Sequence, residues 1–229
     1  MPTAASVEAY RTLLATVGEA ALTDIEGLWR GWPWDDARGV RDAAELAVPD
    51  VVWAYQDVTG GLAADQYDTW REEARVRGRF TATPAQVAAE DQILAGVRNA
   101  IGPLFGADPD AAAARALLSG MVTRLVTHGS ADTMVGSVRR DPAAVGWSRH
   151  TRAGGCGFCR MLQGRGSVYR KQETAVFAAH DHCRCTVAPS WDPDAPVPVR
   201  EQYLASQRSP SNADRARVRA YLAEHFPDA

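Results

Sequence analysis

The sequence predicts an α+β fold in which a mostly α-helical N-terminal region precedes a small, zinc-stapled C-terminal module with short strands. Apolar residues recur at three- and four-residue steps along the first 140 residues, which is the spacing of amphipathic helices. After Asp141 the chain changes to short extended pieces and glycine-rich turns, and all four cysteines lie between residues 156 and 185. We therefore expect a helical domain at residues 1–140, a Cys/His zinc module at residues 141–190, and a proline-rich linker with a C-terminal helix at residues 191–229.

Composition limits the class of protein. The chain has 229 residues, of which 46% are apolar and 23% are charged, as in ordinary globular proteins. No apolar stretch approaches the roughly 18 residues that span a bilayer, so we expect no membrane protein. The N-terminal sequence MPTAASVEAYRT lacks the basic and apolar regions of a secretory signal, which predicts folding in a reducing cytoplasm.

The first two helices are predicted from apolar spacing and from the residues that stop it. An amphipathic pattern over residues 7–28 indicates a helix that ends near Gly31 and Pro33. Residues 65–76 predict a second, solvated helix that ends at Gly78.

Two further helices are predicted before Asp141, after which the chain changes to short extended pieces. The sequence TPAQ at residues 83–86 has the form of a capping box with proline at the first helical position, and the helix it opens reaches Leu104. The pair Asp108-Pro109 opens another helix, which we expect to close at His128-Gly129.

The C-terminal part is predicted to contain short strands and one helix. Residues 145–151 and 186–188 have extended character, and the three prolines within residues 190–200 favour an extended linker. Residues 212–225 predict a last helix, which docks on a partner or frays.

The basic charge is concentrated in one segment. The segment from Arg139 to Cys185 holds nine basic and three acidic residues, so it carries +6 in a chain whose net charge is −3. This charge predicts contact with DNA or with acidic patches of a protein partner; the alternative is that these arginines only solvate a small module. The candidate binding side chains are Arg149, Arg152, Arg160, Arg165, Arg170 and Arg184.

Six Cys and His side chains form the candidate metal site. Cys156 and Cys159 have two residues between them in the sequence CGFC. Cys183 follows Cys159 after a 23-residue interval and lies in the sequence HDHCRC, which supplies four more donors. Thiolate and imidazole ligands together favour zinc, and a structural zinc takes four of them. The preferred set is Cys156, Cys159, His180 and Cys183, with Cys185 and His182 as alternates.

The four cysteines have two other interpretations. The simplest interpretation is that all four thiols are free. The other is a disulfide pair, which fits a protein that is assembled into an extracellular particle. Zinc is favoured because the module has few large apolar residues, and a bound ion could hold it folded. A shell of thiolates and imidazole leaves no open position for water, so we expect a structural ion and no catalytic residues.

Three motifs in this region resemble those of the MuF-like minor head proteins of tailed bacteriophages. They are CGFCRML at residues 156–162, RGSVY at residues 165–169, and HDHCRC at residues 180–185, which is similar to the family's H-x-x-C-R-C signature. The resemblance covers about residues 140–190. Within this family, the sequence most resembles the actinobacteriophage branch that is often described as capsid maturation proteases.

This resemblance implies a protein present in few copies inside the capsid around the portal vertex, and in the host cytoplasm during assembly. The implied partners are the portal protein, the major capsid or scaffold protein, and packaged DNA. A structural role in head assembly, DNA packaging or ejection is therefore the preferred function. A capsid maturation protease is the alternative, and a host nucleic-acid-binding zinc protein is a third, weaker one because no base-reading helix is evident.

A protease would need a nucleophile with a base beside it, and the candidate residues do not supply such a pair. Ser148 lies close to His150, but we expect the two side chains to point to opposite faces of an extended strand. Ser167 and Lys171 lie in no recognisable catalytic frame, and a cysteine nucleophile would compete with metal binding. The sequence contains no H-E-x-x-H motif. These residues favour a structural protein over a protease.

Overall fold

The computed structural model describes residues 1–152, 155–164, 166, 177, 180–182, 184–194 and 211–225. Within these residues the chain is mostly helical with one two-stranded sheet, which confirms the predicted α+β class. The helices are α1 (Ala4–Trp29), α2 (Ala37–Glu73), α3 (Glu90–Ile101), α4 (Ala111–Arg140), α5 (Gly157–Gln163) and α6 (Asn212–His225). A 3₁₀ helix covers Gly102–Phe105, and the strands are β1 (Gly146–His150) and β2 (Thr186–Ser190).

Helix α1 forms where its apolar spacing predicts it. The Thr3 side chain caps its first turn by accepting a hydrogen bond from the Ser6 N–H at 3.1 Å. At its other end Trp29 packs against Trp32 and Trp34, with ring centroids 5.6 and 4.1 Å away. Helix α1 therefore ends in a turn, as predicted, and a cluster of tryptophan rings packs around that turn.

Helix α2 is much longer than the predicted helix at residues 65–76, and one of its faces is buried. It begins after Asp36, whose side chain accepts a hydrogen bond from the Arg38 N–H at 3.0 Å. Pro49 lies inside it, and Tyr67 and Trp70 near its end are almost fully buried. A proline within a helix costs about 3 kcal/mol, so burial of this long apolar face offsets the lost hydrogen bond.

The predicted capping box at residues 83–86 is wrong, because α3 begins only at Glu90. The segment before it stays extended since its N–H groups bind side chains of other helices. The Ala85 N–H donates to Thr133 Oγ1 at 2.8 Å, and the Ala88 N–H donates to Gln56 Oε1 at 2.7 Å. Long-range hydrogen bonds therefore replace the first turn of the predicted helix.

Helix α4 does not end at His128-Gly129, as predicted, but continues to Arg140. Gly129 does not end the helix; it allows α4 to pack closely on α2. A Cβ atom there would lie 2.6 Å from Thr59 Oγ1 and 2.8 Å from the Gln56 carbonyl oxygen. Two hydrogen bonds cross the same contact: Gln56 Nε2 to the Leu125 carbonyl at 2.8 Å, and Thr59 Oγ1 to the Val126 carbonyl at 3.0 Å.

The two strands form the predicted extended elements. Strand β1 pairs antiparallel with β2, with Gly146 opposite Ser190 and His150 opposite Thr186. Helix α6 occupies residues 212–225, as predicted. Residues 195–200 of the predicted linker lie outside the described residues.

Two apolar clusters form the core of the described chain. One contains the second half of α1, the first half of α2, α3 and the first half of α4. The other joins Tyr10, Trp70 and Met134 of the helices with Trp147, Cys159, Phe177, Cys185 and Val187 of the module. Apolar contacts therefore cross residue 140, although α4 ends there.

A buried carboxylate fastens the end of α4 to the rest of the fold. Asp141 is fully buried, and its Oδ2 accepts hydrogen bonds from Tyr67 Oη at 3.1 Å, Arg71 Nε at 3.0 Å and Trp191 Nε1 at 2.9 Å. Its Oδ1 accepts one from the Ala143 N–H at 3.0 Å. Burial raises the pKa of Asp141, but these donors outweigh it and hold the pKa below its usual value.

Candidate metal centre

The first half of the candidate metal centre is the start of α5. Cys156 caps this helix, and its carbonyl accepts the Arg160 N–H at 3.0 Å. Cys159 lies within the first turn, so both thiols face the same side. Cys159 and Leu162 are buried, and Cys159 belongs to the apolar cluster that the module shares with the helices, whereas Cys156 is exposed.

The second half is His180. Its Nε2 lies 3.0 Å from Cys156 Sγ and 3.5 Å from Cys159 Sγ, and the three donor atoms lie within 4.8 Å of one another. With the usual zinc–sulfur and zinc–nitrogen distances, a sulfur and a nitrogen at two corners of a tetrahedral shell are about 3.6 Å apart. The cluster of Cys156, Cys159 and His180 could therefore hold a metal ion.

The other ring nitrogen of His180 fixes its orientation. Nδ1 donates a hydrogen bond to the Asp181 carbonyl at 2.8 Å, so Nε2 is the nitrogen that faces the two thiols. Metal-bound histidines use a hydrogen bond of this kind to set the ring and the tautomer. The imidazole is therefore oriented for coordination through Nε2.

Electrostatics favour the charged forms of Cys156 and His180. Burial raises the pKa of Cys156, but hydrogen bonds from the Cys159 N–H and from the His180 ring outweigh it, so the net pKa is lowered. Burial lowers the pKa of His180, but hydrogen bonds with the Asp181 carbonyl and Cys156 raise it to a higher net value. The pair thus tends toward a thiolate beside a protonated imidazole, and a metal cation would replace that proton.

The turn that carries His180 is docked on α4. The His182 N–H donates to the Gly120 carbonyl at 3.4 Å, and a Cβ at Gly120 would lie 2.8 Å from His182 Nε2 and 2.9 Å from Asp181 Cβ. Arg124 Nε binds Asp181 Oδ1 at 2.8 Å beside this contact. Gly120 therefore leaves the space that the turn occupies.

A second ion pair ties the same turn to α1. Arg184 Nη1 lies 2.8 Å from Glu19 Oε1. Because α1 and α4 belong to the helical region, the His180 side of the centre is attached to that region independently of α5.

The structure places the six predicted metal ligands in different surroundings. Cys156, Cys159 and His180 come together, and Cys183 lies outside the described residues. Cys185 is buried in the apolar cluster, beside a cavity of about 20 Å³, and is not part of the three-residue group. His182 is exposed, with a positive φ of 61°, and its ring lies over Gly120.

The predicted binding arginines also differ in position. Arg149 is only 2% exposed and its guanidinium lies 3.9 Å from the Phe177 ring centroid, so its burial argues against a role at the surface. Arg152 is exposed, and Arg160 and Arg184 are half-buried. The two remaining candidates, Arg165 and Arg170, lie outside the described residues.

The expected geometry of Ser148 and His150 is wrong. They are two residues apart on β1, so their side chains share one face, and Ser148 Oγ lies 2.9 Å from His150 Nε2. Ser148 is only 7% exposed, and burial lowers the pKa of His150. Among the described residues none supplies a carboxylate to His150. Ser167 and Lys171 lie outside that part of the chain.

Sequence patterns did not identify Asp141 as a junction, nor did they identify the residues that anchor the His180 turn. The side-chain partners of Asp141 lie 50 to 74 residues away, and Arg184 and Glu19 are 165 residues apart. No spacing within a local window could have connected them.

The chain matches a known protein family over most of its length. A family model described as VG15 protein matches residues 1–206, which include α1 to β2 and the Cys/His cluster. No curated protein and no solved structure matches the chain. Of the helices in the described ranges, none is long and apolar enough to cross a bilayer.

Proposed function

Because the chain belongs to the VG15 protein family, a family of viral (phage) proteins, we propose that it is a minor capsid protein of a tailed phage. Its role is structural and its place is inside the head near the portal, where it acts in head assembly, DNA packaging or ejection. The partners proposed are the portal protein and the major capsid or scaffold protein.

The observation that carries this proposal is the Cys156, Cys159 and His180 cluster. It gathers the first and third of the MuF-like motifs in space, although 24 residues separate Cys156 from His180. It also lies within the range of the family match. A sulfur and imidazole cluster packed against a helical core supports a building block more than an enzyme.

Zinc is the ion that we propose for this centre. Two thiolates and one imidazole suit zinc better than calcium or magnesium, which prefer oxygen ligands. Cys183 is the proposed fourth ligand, with Cys185 and His182 as alternates. When bound, the ion would hold α5 against the His180 turn.

DNA contact is proposed only for the exposed part of the basic segment. Arg152 and the half-buried Arg160 follow β1 near the metal centre, so they can reach a phosphate backbone without unfolding the core. Arg149 is left out because it is buried.

Purified particles test the location. We expect mass spectrometry of mature virions to find the full-length chain at low copy number relative to the major capsid protein. Cryo-electron microscopy without imposed icosahedral symmetry should place its density inside the head at the portal vertex. Absence from both procapsids and mature heads would overturn the proposal. Density on the outer surface would overturn the interior location.

The protease alternative has one supporting observation, the 2.9 Å contact between Ser148 and His150. We expect no cleavage when the chain is coexpressed with its scaffold and capsid proteins, because Ser148 is buried. The alternative requires cleaved products that disappear in Ser148→Ala while the variant keeps its melting temperature. That result would replace the structural role with a catalytic one.

A further inference from the structure

The two cysteines of α5 differ in exposure although they lie in one turn. Cys156 is exposed to solvent and Cys159 is buried, and their sulfur atoms lie within 4.8 Å of each other. The Cys156 carbonyl belongs to the helical hydrogen-bond pattern, so the two Cα atoms are separated by one helical turn, about 5 Å. Disulfides form between Cα atoms about 4.4–6.8 Å apart, so this pair can bond directly with little backbone movement.

We propose that Cys156 and Cys159 form an oxidisable dithiol whose disulfide and the metal ion exclude each other. The proposal rests on the metal centre of the proposed function, because the same two sulfurs serve both states. It gives the centre two states: a reduced form that binds the ion, and an oxidised form that has released it.

Hydrogen peroxide is a sufficient oxidant for this step. The exposed Cys156 sulfur attacks one peroxide oxygen, which breaks the O–O bond, forms a sulfenic acid and releases one water. The Cys159 sulfur then attacks the sulfenic sulfur, which forms the S–S bond and releases a second water. Two thiols lose two protons and two electrons, and one peroxide becomes two waters.

The exposure of each thiol sets the order of these events. Cys156 is open to a small oxidant, whereas Cys159 and Cys185 are buried in the apolar cluster. Cys159 lies one turn from Cys156 and can resolve the sulfenic acid, while Cys185 is not in the 4.8 Å group. The exposed thiol therefore reacts first, and its buried neighbour completes the bond.

Oxidation would separate α5 from the His180 turn without releasing the turn. After the disulfide forms, His180 is the one remaining donor of the described cluster, which is too few to retain an ion. The turn stays on the helical region through the Arg124–Asp181 and Arg184–Glu19 ion pairs. The change is therefore local to α5.

The test uses the full-length chain loaded with zinc and titrated with hydrogen peroxide. Zinc release is followed with a chromogenic chelator, and peptide mass spectrometry maps the disulfides. We expect one zinc released per Cys156–Cys159 disulfide and the loss of two of four thiols. Dithiothreitol with added zinc should restore the starting state.

Matched variants separate the oxidation site from general instability. Cys185→Ala should retain both the disulfide and the coupled zinc release. Cys159→Ala should instead accumulate a sulfenic acid at Cys156, which dimedone traps. His180→Ala should still form the disulfide, since the bond needs only the two sulfurs.

Two results would overturn the inference: a main disulfide that joins Cys183 or Cys185 to another thiol, or zinc that stays bound after the Cys156–Cys159 bond has formed. A chain purified from reducing buffer with added zinc that holds no ion would overturn this inference and the metal centre together. The capsid location is measured separately on particles, so its failure is distinguishable from either.

Discussion

The helical region and the Cys/His module are held together by different physical means. Residues 1–140 bury two sets of apolar side chains between long helices, and α2 and α4 contact each other along much of their length. The described part of residues 141–190 contains two five-residue strands and one seven-residue helix, together with the cluster of Cys156, Cys159 and His180. Short elements of this size cannot bury enough surface alone, so ligands and neighbours must hold them.

The difference does not make the two regions independent. The module places Trp147, Cys159 and Val187 in the same apolar cluster as the helices, and Asp141 joins both regions by hydrogen bonds. We therefore expect metal loss to unfold the module first, whereas loss of the shared contacts should destabilise both regions.

Metal removal should have the largest effect and should be confined to the module. Structural zinc contributes an apparent binding free energy of about 10 kcal/mol, so treatment with 1,10-phenanthroline should open the chain around α5. We expect trypsin cleavage after Arg152 and Arg160 to rise more than about tenfold, while far-UV circular dichroism keeps most of its helical signal. The non-chelating isomer 1,7-phenanthroline is the matched control. If the helical circular dichroism signal were lost together with the rise in cleavage, the effect would not be confined to the module.

Asp141→Asn should destabilise both regions together. The change leaves the Arg71 guanidinium buried without its charged partner, and such losses cost about 3–5 kcal/mol. Urea unfolding followed by circular dichroism should show one transition at a lower midpoint. Asp65→Asn, at an exposed position of α2, should stay within about 0.5 kcal/mol of the parent. A variant in which only one of the two regions unfolds at a lower midpoint than in the parent would contradict a role of Asp141 in both regions.

The same carboxylate gives the stability a definite pH dependence. The folded pKa of Asp141 is lowered, so its stabilisation is complete above the unfolded value of about 3.9 and is lost as the pH falls below it through the folded pKa. We expect the difference in unfolding free energy between the parent and Asp141→Asn to narrow below about pH 4. A constant difference from pH 7 to pH 2 would contradict a lowered pKa.

Gly129→Ala should act within the helical region alone. The new Cβ would clash with Thr59 and with the Gln56 backbone, and such overpacking costs about 1–3 kcal/mol. Gly136→Ala in the same helix meets nothing within 4 Å and should stabilise by up to about 1 kcal/mol. Melting temperatures measure both, and zinc content should be the same in each. A melting temperature of Gly129→Ala at or above the parent would show that α2 and α4 are less closely packed.

The smallest effect is expected from the anchor of the His180 turn. The Arg124 and Asp181 side chains are 28% and 44% exposed, and surface pairs of this kind contribute at most about 1 kcal/mol. Arg124→Ala should weaken zinc binding by a few-fold in low salt and less in 1 M salt, as measured by competition with a chelator. Arg98→Ala, which breaks the pair with Glu45 in the helical region, should leave zinc affinity unchanged. Equal effects from both variants would contradict the anchoring role.

Local patterns predicted those elements whose boundaries depend on nearby residues. The strands near residues 145–151 and 186–188 and the helix at residues 212–225 appear where expected, as does the end of α1 near Gly31. Elements that tertiary contacts decide were missed. Pro49 and Gly129 have the usual properties of helix breakers, yet burial of α2 and its close contact with α4 keep both residues inside helices.

The candidate site followed the same rule. The two-residue spacing of Cys156 and Cys159 is local and was visible in the sequence, and chelation chemistry connected it to His180. The burial of Arg149 and the approach of Ser148 to His150 depend on how β1 sits against its neighbours. Composition could not separate buried arginines from exposed ones.

The hydrogen bond between Trp191 and Asp141 has a consequence for synthesis of the chain. Trp191 follows β2, so the ribosome must translate nearly the whole described fold before this donor exists. A nascent or truncated chain that stops short of it keeps a carboxylate in an apolar setting with one donor missing. We therefore expect a chain that ends before Trp191 to be less stable than one that includes β2 and this tryptophan.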